Sequence, residues 1–180
     1  MELSSYLQQV VDHLLKEKSL TELPVRGQWN DWTCGAAVIL AILDFYNVSV
    51  SRPDIAKILQ SSPQKGTAIA TIENLFQSLN WKHDSRQMTI KDLKRFAKIN
   101  IPVICLIQAW SEPECNWKED LCAGHFVVVC GVNKSQLVVM DPYAKRKSLI
   151  NFEKFLERWM SRERGKCWGL AVYGPSILPF

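Results

Sequence analysis

One cysteine of the chain stands where a nucleophile would be placed. Residues 27–36 read GQWNDWTCGA, and Cys34 begins an apolar run that continues to Tyr46. Helix N-termini favour nearby negative charge, so a thiol in the first helical turn has its pKa lowered. Gly35 would let a substrate backbone come close, and the side-chain amide of Gln28 could donate to an oxyanion beside the thiol. A buried structural cysteine is the alternative interpretation.

A base for this thiol must come from only three histidines. His13 falls on the polar side of an expected helix, and His83 falls in a polar stretch. His125 instead begins the apolar run HFVVVCGV, directly after Gly124. A histidine at the start of a buried strand can face a helix that carries a cysteine, which is the geometry of a thiol–imidazole pair. We therefore predict that His125 is the general base, with a satisfied core histidine as the alternative.

A carboxylate that would orient this imidazole follows the next apolar run. If HFVVVCGV and QLVVM form a hairpin around Asn133–Lys134, His125 lies 8 residues before Asn133 and Asp141 lies 7 residues after Lys134. The two ends would then meet, and Asp141 could hydrogen-bond His125 and fix its tautomer. A carboxylate that merely starts a turn before Pro142 is the alternative.

The motifs QWNDWTCGAA, GHFVVVCGV and VVMDPY resemble those of the bacteriocin-processing, double-glycine type of papain-like cysteine peptidase, over roughly Gln28 to Pro142. The resemblance implies a papain-like fold, in which the nucleophile helix packs on an antiparallel sheet. It also implies that Cys34 is the nucleophile, His125 the general base and acid, Asp141 the orienting residue and Gln28 part of the oxyanion hole. The best-known members are fused to a transporter, and this chain looks more like the stand-alone relatives.

Aromatic residues near these motifs are candidates for substrate subsites. We expect Trp29, Trp32 and Trp110 to line the cleft together with Gly35 and Gly124, since aromatic side chains grip apolar groups with little loss of entropy. Core packing is the alternative for the tryptophans. The long polar stretch from Ala109 to Cys122 is expected to overhang the cleft and to shape specificity.

Hydrophobic periodicity predicts the elements that position these residues. Helices are expected at 3–18, 34–46, 51–59, 68–79, 89–99 and 151–162, with Asp31 and Thr33 as caps of the second. Short β-branched runs predict strands at 102–108, 125–132, 136–140 and 168–173. The fold class is therefore α+β, as a single papain-like domain over 1–180 with a mostly helical lobe at 1–100 and a mostly sheet lobe at 101–180.

Composition narrows the class of protein further. The net charge of +4 and the short basic runs do not favour nucleic-acid binding. The N-terminus lacks the pattern of a secretory signal, and the longest apolar stretch is too short to span a bilayer, so we expect a cytoplasmic monomer. The six cysteines are expected to be free thiols. Cys115, Cys122 and His125 are too widely spaced for a typical zinc site, so no metal or other cofactor is expected.

The sequence thus predicts a cysteine peptidase that hydrolyses a peptide or isopeptide bond through a Cys–His–Asp triad and a thioester intermediate. An acyltransferase of the transpeptidase, transglutaminase or amidase type could use the same residues with an amine as acceptor. A catalytically silent module that only binds peptides is the third interpretation.

Overall fold

The structure is a computed structural model that describes residues 22–109, 119 and 121–175. The helix expected at 3–18 and Trp110 lie outside these residues, as does most of the expected overhang. The helices are α1 (Cys34–Phe45), α2 (Arg52–Ile58), α3 (Ile69–Ser78), α4 (Ile90–Lys98) and α5 (Phe152–Arg158). The strands are β1 (Trp81–Gln87), β2 (Val103–Gln108), β3 (Gly124–Val132), β4 (Gln136–Asp141), β5 (Arg146–Asn151), β6 (Met160–Ser161), β7 (Gly165–Lys166) and β8 (Trp168–Pro175).

Six of the strands form one antiparallel sheet in the order β1-β8-β2-β3-β4-β5. The last strand of the described chain therefore lies inside the sheet, between β1 and β2. Strands β6 and β7 pair separately as a small hairpin. The mixed helix and antiparallel-sheet architecture confirms the predicted fold class.

The sheet is buried on both faces, which explains why its central strands are continuous apolar runs. Alternate residues such as Ile104 and Val128 pack with helix α1 in one core cluster. Their neighbours, such as Cys105 and Val129, pack with α4 and α5 in a second cluster. Helix α1 is buried along nearly its whole length, so its first residue is held rigidly against the sheet.

Both edge strands of this sheet were missing from the sequence-based assignment. Strand β1 has the polar sequence WKHDSRQ, which we expected to connect two helices, yet it pairs with β8 along all seven residues. Strand β5 pairs with β4, and its residue Leu149 is exposed. The helix expected to reach residue 162 ends at Arg158, because the chain then turns into β6.

Among the described residues, one cysteine departs from the expectation of free thiols. Cys122 forms a disulfide, whereas Cys34, Cys105, Cys130 and Cys167 are free. In the described ranges, no helix combines the length and the apolar character that crossing a bilayer requires.

Candidate active site

Cys34 is the first residue of α1 and lies at the end of the sheet. Thr33 occupies the N-cap position, but its side chain makes no capping hydrogen bond, contrary to the prediction. Its hydroxyl instead accepts hydrogen bonds from the backbone N–H groups of Trp29, at 3.1 Å, and Asn30, at 3.0 Å. Thr33 therefore fixes the loop that precedes α1, and its side chain leaves the first N–H groups of this helix uncapped beside the Cys34 thiol.

His125 and Asp141 meet at the same end of the sheet. The imidazole Nε2 lies 2.8 Å from Oδ1 of Asp141, and both side chains are buried. The same carboxylate oxygen accepts hydrogen bonds from the backbone N–H groups of Tyr143, at 2.9 Å, and Ala144, at 3.2 Å. These donors hold the carboxylate in place and favour its ionised form.

The hairpin that brings these two residues together has a different register from the one we counted. It turns through Asn133 and Gln136 and contains an irregularity between Val129 and Gly131. Val128 then pairs with Met140, so the ends of the two strands still come close. The count along the sequence was approximately right because the longer turn and the irregularity shift the register by only one residue.

The Cys34 thiol and the His125 imidazole form a hydrogen-bonded pair. Burial alone would raise the pKa of Cys34, but the hydrogen bond and charge of His125, with backbone N–H groups of Phe126 and Gly35, hold it below its ordinary value. Burial alone would lower the pKa of His125, but Asp141 and Cys34 raise it to about 9. The lowered pKa of the thiol and the raised pKa of the imidazole both favour the thiolate–imidazolium form of the pair.

Gln28 is fixed on the loop in front of the thiol. Its backbone N–H donates to the carbonyl oxygen of Pro142 at 3.0 Å, which ties this loop to the turn after Asp141. Its side-chain Nε2 donates to the carbonyl oxygen of Asn30 at 3.1 Å, whereas Oε1 is buried and makes no hydrogen bond with the described residues. One N–H of the amide is thus engaged, and the second is available to another acceptor.

Gly35 is buried and packs closely against Thr67. A Cβ atom on Gly35 would lie 2.5 Å from Cβ of Thr67, so this close approach requires glycine. The hydroxyl of Thr67 lies 2.7 Å from that of Ser61. The structure therefore gives Gly35 a packing reason that the sequence did not reveal, and a direct contact with substrate stays a prediction.

Two cavities lie at the candidate site, one lined by Cys34 and the other by Gln28, and they share Asp31. The Cys34 cavity has a volume of about 400 Å³, and its lining includes Cys34, Trp32, Thr67, Gly124, Phe126 and Arg162. The Gln28 cavity has a volume of about 260 Å³ and is lined by Gln28, Trp29, Asn30, Asp31, Tyr143 and Lys145. Trp29, Trp32 and Gly124 thus line cavities beside the predicted catalytic residues. Sequence reasoning did not single out Thr67, Arg162 or Lys145, which have no motif of their own.

A buried glutamine connects two walls of the Cys34 cavity. Gln108 at the end of β2 accepts a hydrogen bond from the backbone N–H of Ala123 at 2.9 Å. It donates to the carbonyl oxygen of Met160 at 3.0 Å, at the start of the β6–β7 hairpin. That hairpin carries Arg162 and Glu163 into the cavity lining.

Comparisons with known proteins give the family and the fold of the chain. The sequence profile of the Peptidase C39 family matches residues 22–162. The peptidase domain of Streptococcus ComA, a bi-functional ABC transporter involved in quorum sensing, superposes with a TM-score of 0.65 at 17% identity, over 86% of this chain and 100% of that domain. Among curated proteins, no sequence matches the chain.

Two further structures show the same fold. A double glycine motif protease from an AMS/PCAT transporter, solved in complex with its leader peptide, has a TM-score of 0.65 at 19% identity, over 86% of this chain and 93% of that one. A C39-like peptidase from Bacillus anthracis has a TM-score of 0.64 at 14% identity, over 84% and 94% of the two chains. At these identities the likeness shows the fold.

Proposed function

The chain belongs to the Peptidase C39 family and is a cysteine-type peptidase, and from that premise we propose that it hydrolyses a peptide bond through Cys34, His125 and Asp141. Cys34 acts as the nucleophile, His125 as the general acid and base, and Asp141 as the residue that orients His125. Gln28 and the backbone N–H of Cys34 hold the oxyanion.

One observation carries this proposal. The His125 imidazole binds Asp141 through Nε2 at 2.8 Å and shares its other side with the Cys34 thiol. Nucleophilic catalysis needs a nucleophile in contact with a base, and a carboxylate that orients this base from its other side. Burial of all three side chains strengthens their mutual electrostatic interactions.

The steps follow from the charges at the site. The Cys34 thiolate attacks the carbonyl carbon, and the oxyanion that forms accepts hydrogen bonds from Gln28 and the Cys34 backbone N–H. The C–N bond breaks as His125 gives its proton to the leaving nitrogen, which leaves a thioester on Cys34. His125, now neutral, takes a proton from water as the water attacks the thioester, and the acid product leaves with Cys34 again a thiolate.

The substrate in this proposal is a peptide. The AMS/PCAT protease with this fold was solved in complex with its leader peptide, which supports a peptide as the substrate class here. A peptide whose leader segment ends in two glycines is therefore the first substrate to test.

The experiment that tests the proposal maps which cysteine reacts with low iodoacetamide near pH 6, by mass spectrometry. At this pH an ordinary thiol barely reacts, whereas a thiolate paired with imidazolium does. We expect selective labelling of Cys34 in the native protein. In His125→Ala the labelling of Cys34 should fall by about 100-fold or more, because only the backbone N–H groups of Phe126 and Gly35 then oppose the effect of burial on its pKa.

The other free cysteines in the described residues are internal controls, and half-buried Cys167 is the most accessible of them. Equal, slow labelling of Cys34 and Cys167 in the native protein would contradict the proposal.

Turnover of the double-glycine peptide should disappear in Cys34→Ala, and product masses would reveal an amine acceptor in place of water.

A further inference from the structure

Lys145 occupies an unusual position beside the Gln28 cavity. It follows the turn after Asp141 and has a left-handed backbone conformation, with φ of 53°. This conformation is unfavourable for a residue other than glycine, so the turn holds it at a cost of about 1 kcal/mol. Lys145 is exposed and lines the cavity that also contains the Gln28 side chain.

The stem of this lysine lies against the loop that carries Gln28. A Cβ atom on Gly27 would lie 2.8 Å from Cγ of Lys145 and 3.1 Å from Cδ, so the absence of a side chain at Gly27 makes room for the stem. The backbone bond from Gln28 to Pro142 holds the two segments together. The position of the Lys145 side chain is thus set by its left-handed backbone conformation and by the space at Gly27.

The charges of the Gln28 cavity are arranged in a definite order. Asp31 lines both cavities and so lies where they meet, whereas Lys145 lines the Gln28 cavity and not the Cys34 cavity. In the part of the chain that the structure describes, Lys145 makes no ion pair with a carboxylate. The Gln28 cavity therefore has an anionic group where it meets the Cys34 cavity and a cationic group away from that junction.

This arrangement matches the charges of a departing peptide fragment. The leaving nitrogen takes a proton from His125 and departs as a neutral amine, which becomes an ammonium by taking a second proton from solvent. The negative charge of Asp31 favours that ammonium. A carboxylate on the leaving fragment, one to three residues after the cleaved bond, would lie toward Lys145. The turn that follows Asp141 lies on the side of the imidazole, which must face the leaving nitrogen.

We propose that Lys145 is a specificity-determining residue that binds a carboxylate on the leaving-group side of the substrate. This inference rests on the proposed peptide hydrolysis. The carboxylate is either the side chain of an Asp or Glu or the free C-terminus of a short leaving fragment. Lys145 acts on formation of the thioester only, because the leaving fragment has departed before water attacks.

The test uses a synthetic mixture of randomised peptides, made once with free C-termini and once with amidated C-termini. Mass spectrometry identifies the residues that follow each cleaved bond. With the native protein we expect Asp and Glu to be enriched about fivefold at the three positions that follow the cleaved bond. If the C-terminus supplies the carboxylate, cuts should instead cluster within three residues of it and disappear in the amidated mixture.

Matched variants assign the preference to the charge of Lys145. Lys145→Met keeps the stem against Gly27 and should remove the preference, whereas Lys145→Glu should reverse it toward Lys and Arg. Lys134→Glu, at the exposed tip of the β3–β4 hairpin, is the control for net charge and should change nothing. Labelling of Cys34 by iodoacetamide, a neutral reagent, should be equal in all of them, which shows that the site is intact.

The outcomes separate this inference from the proposed function. Cleavage that needs Cys34 but has the same preference in Lys145→Glu as in the native protein would overturn the role of Lys145 alone. Absence of any cleavage that needs Cys34 would overturn the proposed hydrolysis and this role together. A preference lost in Lys145→Met and reversed in Lys145→Glu supports both.

Discussion

At the scale of single residues, the site depends on two charges that burial opposes. Burial raises the pKa of the Cys34 thiol and lowers that of the His125 imidazole, yet each charge stabilises the other. Asp141 adds a further negative charge behind the imidazole at 2.8 Å. The reactive state is therefore a property of the three side chains together, and loss of one changes the protonation of the others.

Gln28 supports a prediction at this scale. In Gln28→Ala we expect kcat/KM for peptide cleavage to fall by about 100-fold, because a donor to the oxyanion is lost. Labelling of Cys34 by iodoacetamide near pH 6 should stay within about twofold, since the thiolate–imidazolium pair does not include this amide. Gln77→Ala on the exposed side of α3 is the control. Equal losses in turnover and in labelling would mean that Gln28 acts by holding the loop.

The sequence predicted that Cys34, His125 and Asp141 lie close together, because chemistry restricts the types of residue that can form such a site. A thiol before an apolar helix and a histidine that begins an apolar strand are rare combinations, and the hairpin count then pointed to Asp141. Lys145 could not be found in this way. Its position depends on a left-handed turn and on the missing side chain of Gly27, and neither produces a pattern in hydrophobicity or spacing.

At the scale of elements, the β6–β7 hairpin joins the helical part of the site to the sheet. Helix α3 begins after Ala68, which has no side chain able to cap it. Glu163 from the hairpin accepts a hydrogen bond from the backbone N–H of Ile69 at 3.0 Å, and Arg164 lies 2.6 Å from Glu73. The hairpin therefore caps α3 from a distant part of the chain and at the same time lines the Cys34 cavity.

This contact predicts a paired effect on stability and activity. In Glu163→Ala the free energy of unfolding should fall by about 1 kcal/mol, as when a helix cap is lost. KM should rise more than kcat falls, because the displaced hairpin lines the cavity and does not touch the thiolate–imidazolium pair. Urea unfolding and steady-state kinetics measure the two effects.

Glu157→Ala, on the exposed side of α5, removes the same charge and should change neither quantity. A loss of stability with unchanged KM in Glu163→Ala would mean that the hairpin does not shape the substrate site. Glu163→Gln keeps an oxygen acceptor and should lose less stability than Glu163→Ala.

The strands divide sharply in how well the sequence predicted them. Strands β2, β3, β4 and β8 are apolar runs because neighbouring strands and two layers of side chains cover them. The edge strands β1 and β5 have few fully buried positions, so their sequences have the polar composition of loops. They are strands because β1 pairs with β8 and β5 pairs with β4, and the local sequence has no pattern that predicts such pairing.

At the scale of the whole molecule, stability should depend on pH through its thiols. The raised pKa of His125 contributes stability that is lost as pH rises from about 6.5 to 9, whereas the lowered pKa of Cys34 contributes stability that is lost as pH falls below about 9. The pH dependences of these two groups therefore oppose each other. Burial raises the pKa of Cys130 to about 11 and that of Cys105 well above its ordinary value. Their contribution to stability is complete below about pH 9 and is lost as pH rises, since only the unfolded chain ionises there.

Cys130→Ala tests this prediction. The free energy of unfolding of the native protein should decrease between pH 9 and 11, and each buried thiol contributes about 1.4 kcal/mol per pH unit. The variant should be less stable at pH 8, because it loses buried contacts, but its decrease above pH 9 should be shallower by that amount. Urea unfolding at pH 8, 9 and 10 measures both. Parallel decreases in the two proteins would contradict the assigned pKa of Cys130.

The place of β8 in the sheet has a consequence for how the protein is made. A ribosome completes β8 after every other strand described here, yet β8 is the only pairing partner of β1 and covers one side of β2. A nascent chain that has not yet released Trp168–Pro175 lacks a central strand and leaves β2 open to other chains. The helix that begins at Cys34 and the strand that begins beside His125 thus reach their final support only after β8 has been made. A stalled or shortened chain would carry its cysteine on an unfinished sheet.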